Sequence, residues 1–299
     1  MNILITGTSS GFGREITIAL AQSGHRVYAA MRCIKGKNKA SAEVFVGLSD
    51  SLEGQIIPLE MDVTSDDSVE DAVTTVLDDL SGTLDVVINN AGCYIGGLNE
   101  TFSSSQVQHM FDINLLGPLR VMRAVLPTIR QQGKGTIINI TSSLSKFVLP
   151  LSGLYTASKT ALETVTESYA YELAPLGIEV LIVQPGSFNT GIMDKSPGPD
   201  ESERASGYGA TLNQTENMIQ RYMALVQDSF FNSSAKVVAE SVVALLERSY
   251  GSRPFRTIVD PSSLGEQVAL LNDHIENAQH KFLCSVNIEQ MANIKETQQ

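Results

Sequence analysis

The chain has 299 residues, 42% of them hydrophobic and 18% charged, with a net charge of −12, which is enough to bury a full core in one large domain or two. An acidic balance without a basic run excludes nucleic acid and anionic membrane as partners, and no stretch approaches the ~20 apolar residues of a membrane span. Cys33, Cys93 and Cys284 form no C-x-x-C pair and the four histidines lack ligand spacing, which excludes a disulfide framework and a metal site.

An apolar run, residues 2–6, opens the chain and is followed at once by "TGTSSGFG" (6–13). There is no basic leader before it, so a cytoplasmic protein is expected. Gly7, Gly11 and Gly13 are spaced G-x-x-x-G-x-G between a strand and the helical stretch "REITIALAQSG", where Gly24 marks the C-terminal stop. Glycines at such a turn let the backbone approach a pyrophosphate at a helix N-terminus. The second apolar run (26–31) leads into "MRCIKGKNK". An NAD site places Asp or Glu about 20 residues past the glycines, on the ribose 2′-hydroxyl. Here Glu15 is followed by no acidic residue until Glu43, and Arg32 stands in that place with Lys35, Lys37 and Lys39 behind it. A guanidinium binds a 2′-phosphate in bidentate fashion, so the expected cofactor is NADP, with NAD second.

Further apolar runs lie at 55–61, 84–89, 135–141 and 178–185, with a weaker one at 256–260, and helical stretches such as "DSVEDAVTTVLDDL" separate them. Continuous Val/Ile/Leu strands alternating with helices predict an α/β fold, a parallel sheet covered on both faces. "LYTASKTAL" (154–162) sets Tyr155 and Lys159 one helical turn apart, with Cβ atoms roughly 5–6 Å from each other. A free tyrosine titrates near ~10. A neighbouring ammonium favours the phenolate, so Lys159 in a partly dry pocket, helped by a cationic nicotinamide ring, is expected to bring Tyr155 down toward neutrality. Taken alone, the spacing equally describes a packed tyrosine and a solvated lysine. "DKSPGPDESERASG" (194–207) is polar and rich in Pro and Gly, and the segment 188–207 is expected to be a mobile lid. Leu264, Val268, Leu271, Ile275, Ala278 and Phe282 recur at 4-3-4-3-4 spacing, one apolar face of a helix. The final "NIKETQQ" is expected to fray.

Several motifs in one order resemble the short-chain dehydrogenase/reductase family: "TGTSSGFG" (6–13), "MDV" (61–63), "NNAG" (89–92), "NLLG" (114–117), "NITSS" (139–143), "YTASK" (155–159) and "PGSFNT" (185–190). The match covers residues 1–190 well and the rest loosely. The strand end "AAMR" and the added length after the sixth strand resemble the hydroxysteroid and retinol dehydrogenase branch. The resemblance implies a single Rossmann-type doubly wound sheet of about seven strands in the order 3-2-1-4-5-6-7. Residues 1–260 would form the catalytic domain, and 261–299 a C-terminal helical extension of it. It implies Tyr155 as general acid and base, Lys159 as the residue that tunes it and binds the nicotinamide ribose, and Ser142 on the substrate oxygen. Asn114 would hold a water near Lys159. Gly7, Ser9, Ser10, Gly11, Phe12 and Gly13, with Arg32, Asp62, Val63, Asn90, Ala91, Gly92, Tyr155, Lys159, Pro185, Gly186 and Thr190, would bind NADP. Ser145 stands where the family often has glycine.

The implied activity is reversible hydride transfer between NADP(H) and a small-molecule carbonyl or secondary alcohol. Family members commonly form homodimers or homotetramers through helices that fall here near 103–130 and 152–174. A non-catalytic dinucleotide-binding redox sensor is the alternative, and it would be expected to lack the Tyr155/Lys159 pair. The extended-family epimerases and dehydratases carry G-x-x-G-x-x-G, which is absent. Leu149, Leu151, Phe188, Ile192 and Met193 are candidates for the substrate pocket or for ordinary core.

Overall fold

The computed structural model describes residues 1–80, 83–193, 195–225 and 234–294. Seven strands form one sheet: β1 (Asn2–Thr6), β2 (Arg26–Met31), β3 (Gln55–Glu60), β4 (Val86–Asn89), β5 (Gly135–Ile140), β6 (Ile178–Pro185) and β7 (Arg256–Val259). Their order is β3-β2-β1-β4-β5-β6-β7 and every neighbouring pair is parallel. Each strand lies within two residues of an apolar run of the sequence. The strands are buried on both faces because helices cover both. Ile3 and Ile5 face one side, with Ile16 and Leu20 of α1 (Gly11–Gln22), Phe45 of α2 (Lys39–Ser49) and Val238 and Val242 of α8 (Lys236–Glu247). Leu4 faces the other side, with Val73 and Val76 of α3 (Asp66–Asp79) and Val121 and Val125 of α5 (Gly117–Gln132). This alternation is the period-two pattern of a strand.

The strand order reverses between β1 and β4, which opens a crevice beyond their carboxyl ends. Three further segments meet there. A π-helical turn, Asp112–Leu116, joins α4 (Ser104–Phe111) to α5, and α6 (Gly153–Leu173) follows a short 3₁₀ turn, Ser143–Ser145, beyond β5. Helix α7 (Ala210–Leu225) follows the segment after β6.

Two expectations change. The segment 188–207 is partly ordered and fastened. Residues Ser202–Tyr208 form a 3₁₀ helix. Gln106 Nε2 donates to the Gly198 carbonyl (2.8 Å) and Gln106 Oε1 accepts from Asp200 N (2.8 Å). The Glu201 N–H reaches the Thr101 carbonyl at 3.0 Å. Asp194 lies outside the described residues.

The second change concerns α9 (Ser263–Ser285). It buries Gly265, Val268, Asn272 and Leu283, while Ile275 and Phe282 stay 38% and 55% exposed. The inner face is set by polar partners. Asn272 Nδ2 donates to Gln184 Oε1 (2.7 Å), and Glu276 pairs with Arg256 (3.0 Å). Arg256 is itself buried and also pairs with Glu163 (3.1 Å) and Glu167 (2.7 Å). A buried guanidinium must be fully paired to be tolerated, so this network turns the helix and leaves part of its apolar stripe outside.

Candidate active site

A cleft of about 340 Å³ runs along the crevice. Its first end is built from backbone. Gly7 has φ 72°, and a Cβ there would lie 2.7 Å from Ala91 Cα. A Cβ on Gly13 would lie 2.4 Å from both Asn90 Nδ2 and the Gly7 carbonyl oxygen. Only glycine lets β1, α1 and the turn after β4 come this close. Asn90 locks the approach, its Nδ2 donating to the Thr6 (2.9 Å) and Gly7 (3.1 Å) carbonyls. Ser10 precedes α1 but makes no capping bond, and no acidic residue lies in the first turn. The N–H groups of that turn therefore remain for an anion. Lys195 reaches over the loop and donates from Nζ to Ser10 Oγ (2.7 Å).

Arg32 lies at the same end, exposed and in no ion pair among the described residues. The turn behind it is pinned by Glu60, whose oxygens accept from the N–H groups of Cys33 (2.6 Å) and Ile34 (2.8 Å). Cys33 takes the left-handed φ of 56° there. Lys37 and Asn38 join Arg32 on the cleft wall. Burial works to raise the Asp62 carboxyl, but bonds from the Thr64 N–H and hydroxyl and the charge of Arg32 hold it below the usual carboxylate range.

The other end is built from side chains, Ser142 and Lys159 buried and Tyr155 partly buried. Tyr155 and Lys159 lie on one face of α6, and Ser142 ends the strand-to-turn segment opposite. The Ser142 hydroxyl lies beside the Tyr155 phenol on the cleft wall. Lys159 is 5% exposed, and its ammonium donates to the Ile140 carbonyl at 3.0 Å. Burial pushes the phenol up to about 12, although the Ser142 hydroxyl beside it pulls the other way. Burial also holds the Lys159 ammonium down to about 8. These directions belong to the free protein, where the dry surroundings penalise both charged forms; the expected lowering of Tyr155 also counted on a cationic nicotinamide ring beside it.

Asn114 occupies the π-helical turn, fully buried. Its Oδ1 accepts from Cys93 N (2.8 Å), and its Nδ2 donates to the Cys93 carbonyl (2.9 Å) and to Ser158 Oγ (2.9 Å). It thus ties the turn after β4 to the helix that carries Tyr155 and Lys159. Local π turns of this kind are frequent at functional sites.

Of the residues singled out in the sequence, Gly7, Ser9, Ser10, Gly11, Phe12, Arg32, Asp62, Val63, Asn90, Ala91, Gly92, Ser142, Tyr155, Lys159, Gly186 and Thr190 all line the cleft. Gly13, Asn114 and Pro185 stand behind the wall. The Pro185 carbonyl accepts from Ser143 Oγ (3.0 Å), which also donates to Asp260 (2.7 Å), so Ser143 faces away from the role given to Ser142. Phe188, Ile192 and Met193 line the cleft, whereas Leu149 and Leu151 do not. Ser145, in place of a glycine, donates to the Ser142 carbonyl (2.7 Å) and meets the Glu163 carboxylate. Lys195 and Tyr94 were not anticipated, because nothing in local spacing marks them.

The family model "short chain dehydrogenase" matches residues 1–200. The chain therefore belongs to the short-chain dehydrogenase family and is an oxidoreductase acting on CH–OH and C=O groups. It is 40% identical over 259 residues to a 3-ketodihydrosphingosine reductase of Bacteroides thetaiotaomicron, covering 87% of each chain. It is 33% identical over 205 residues to human 17-beta-hydroxysteroid dehydrogenase type 1, covering 67% of this chain and 60% of that one. A gluconate 5-dehydrogenase from Burkholderia cenocepacia, solved with NADP and tartrate, superposes with a TM-score of 0.59 at 26% identity, over 64% of this chain and 72% of its own. Among the described residues no helix is long and apolar enough to cross a membrane, and no cluster of metal-ligating side chains occurs.

Proposed function

We propose that the protein reduces a ketone to a secondary alcohol with NADPH, and that the ketone sits on a long-chain lipid of the 3-ketodihydrosphingosine type. The observation that carries the reaction is the convergence of Ser142, Tyr155 and Lys159 in one water-poor end of the cleft. The glycine cradle and the bare first turn of α1 fit a pyrophosphate. Arg32 would take the 2′-phosphate and Lys159 the nicotinamide ribose. Bound this way, NADPH supplies the hydride.

Ser142 donates a hydrogen bond to the carbonyl oxygen and polarises it as negative charge develops. The carbonyl carbon gains the hydride and its oxygen gains the Tyr155 proton, giving the alcohol. The phenolate left behind is stabilised by the Lys159 ammonium. In the reductive direction Tyr155 acts as the acid and is regenerated from solvent. The 40% relative supports the lipid ketone, as do Leu144, Phe188, Ile192 and Met193 on the cleft wall.

The test is oxidation of NADPH and NADH with 3-ketodihydrosphingosine, followed by fluorescence or absorbance. Turnover with NADPH well above NADH is expected. Absence of turnover with both cofactors, or a preference for NADH, contradicts the reading.

A further inference from the structure

Tyr94, in the turn after β4, lines the same cleft as the catalytic groups, and its ring meets that of Tyr155 edge-on, with centroids 5.1 Å apart. Its hydroxyl pairs with Ser152 Oγ at 3.0 Å. Ser152 is the N-cap residue of α6, yet its side chain makes no capping bond. A serine in that position ordinarily stabilises its helix by ~1 kcal/mol through such a bond. Here the hydroxyl is turned toward the cleft loop instead. The residue before it, Leu151, holds a left-handed φ of 64°, which is unfavourable for a side chain with a Cβ. Its carbonyl accepts from the Gly97 N–H at 2.8 Å. Two departures from local preference thus stand side by side, and both serve to hold the Tyr94 loop against the start of the catalytic helix. Such departures concentrate at functional sites.

Each hydroxyl of the Tyr94–Ser152 pair keeps further hydrogen-bonding capacity. The walls contributed by Leu144, Phe188, Ile192 and Met193 are apolar and give a ligand little direction. We propose that Tyr94 is a specificity-determining residue, whose hydroxyl, steadied by Ser152, binds a hydroxyl or ammonium group next to the reacting ketone. The inference rests on the reductase reading above and deepens it. The favoured substrate is a ketone with a polar head and an apolar chain, oriented so that the carbonyl meets Ser142 and Tyr155.

The experiment compares wild type with Tyr94→Phe, which keeps the ring and its contact with Tyr155. Two ketones are used with NADPH: 3-ketodihydrosphingosine, and a ketone of the same chain length without its amino and hydroxyl groups. One neutral hydrogen bond contributes ~0.5–1.5 kcal/mol. The variant is therefore expected to lose about tenfold in kcat/KM on the polar ketone, mostly through KM, and less than about twofold on the bare ketone. Ser152→Ala is expected to move the same ratio in the same direction by a smaller factor. An equal loss on both ketones means a purely structural role and overturns the inference, as does no loss on either. Failure of wild type to turn over either ketone overturns the reductase reading itself, so the two failures are told apart.

Discussion

The two ends of the cleft are made in opposite ways. The glycine-loop end is backbone, held open by residues with no side chain and edged by the exposed cations Arg32 and Lys37. The other end is side chain, with a partly buried phenol and a buried ammonium from α6 and a buried hydroxyl from the turn after β5. At the exposed end charges face solvent and are screened by salt. At the buried end desolvation decides, raising Tyr155 and lowering Lys159. In the proposed function a single molecule thus separates recognition of a charged cofactor from control of a proton.

The largest expected break in this contrast is Lys159→Met. It should lower turnover by about a thousandfold, within the range found for a lost general-acid partner. The same change should stabilise the free protein at pH 7 by about 2–3 kcal/mol, because it removes a buried cation. The sign follows from the lowered value of Lys159. Its burial opposes folding in full below about 8, and the penalty fades as pH rises toward the 10.5 of an unburied lysine. The gain in stability, read by thermal or urea unfolding, should therefore shrink across that window.

Gly13→Ala tests the backbone end. A Cβ 2.4 Å from Asn90 Nδ2 and from the Gly7 carbonyl cannot fit without displacing the cradle. A loss of about 2 kcal/mol in stability is expected, together with weaker binding of both NADPH and NADH. Arg32→Ala should act more narrowly. It should raise the dissociation constant for NADPH about 10- to 100-fold and leave NADH nearly unchanged, as measured by fluorescence titration. Raising the salt concentration should erode the proposed preference for NADPH and leave kcat alone. The smallest effect sharpens the catalytic end: reductive activity should stay level with pH up to neutrality and fall above it with a midpoint near 8, as Lys159 loses its proton.

Much of this was readable in the residues. The strands stand out because a sheet buried on both faces demands continuous Val, Ile and Leu, and the glycine loop because close approach of backbone admits nothing larger. Strand order came only with the resemblance, since no single run states its neighbours. What stayed hidden depends on contacts distant in sequence. Lys195 meets Ser10 across 185 positions. The inner face of α9 is chosen by Gln184 and Arg256, so Ile275 and Phe282 turn outward against the apolar spacing. The burial of Lys159 stayed hidden too, because proximity to Tyr155 is visible in a helix, whereas loss of water is visible only in the fold.

The central claim is that cofactor recognition and proton delivery are separate properties of the two ends. Tyr155→Phe tests it most directly, with NADPH affinity and ketone turnover measured on the same preparation. The phenol has no part in holding the 2′-phosphate or the pyrophosphate, so affinity for NADPH should stay within about twofold of wild type, while turnover falls by about a thousandfold. A variant that still reduces the ketone at near wild-type rate, or one that loses NADPH binding in step with turnover, would contradict the account.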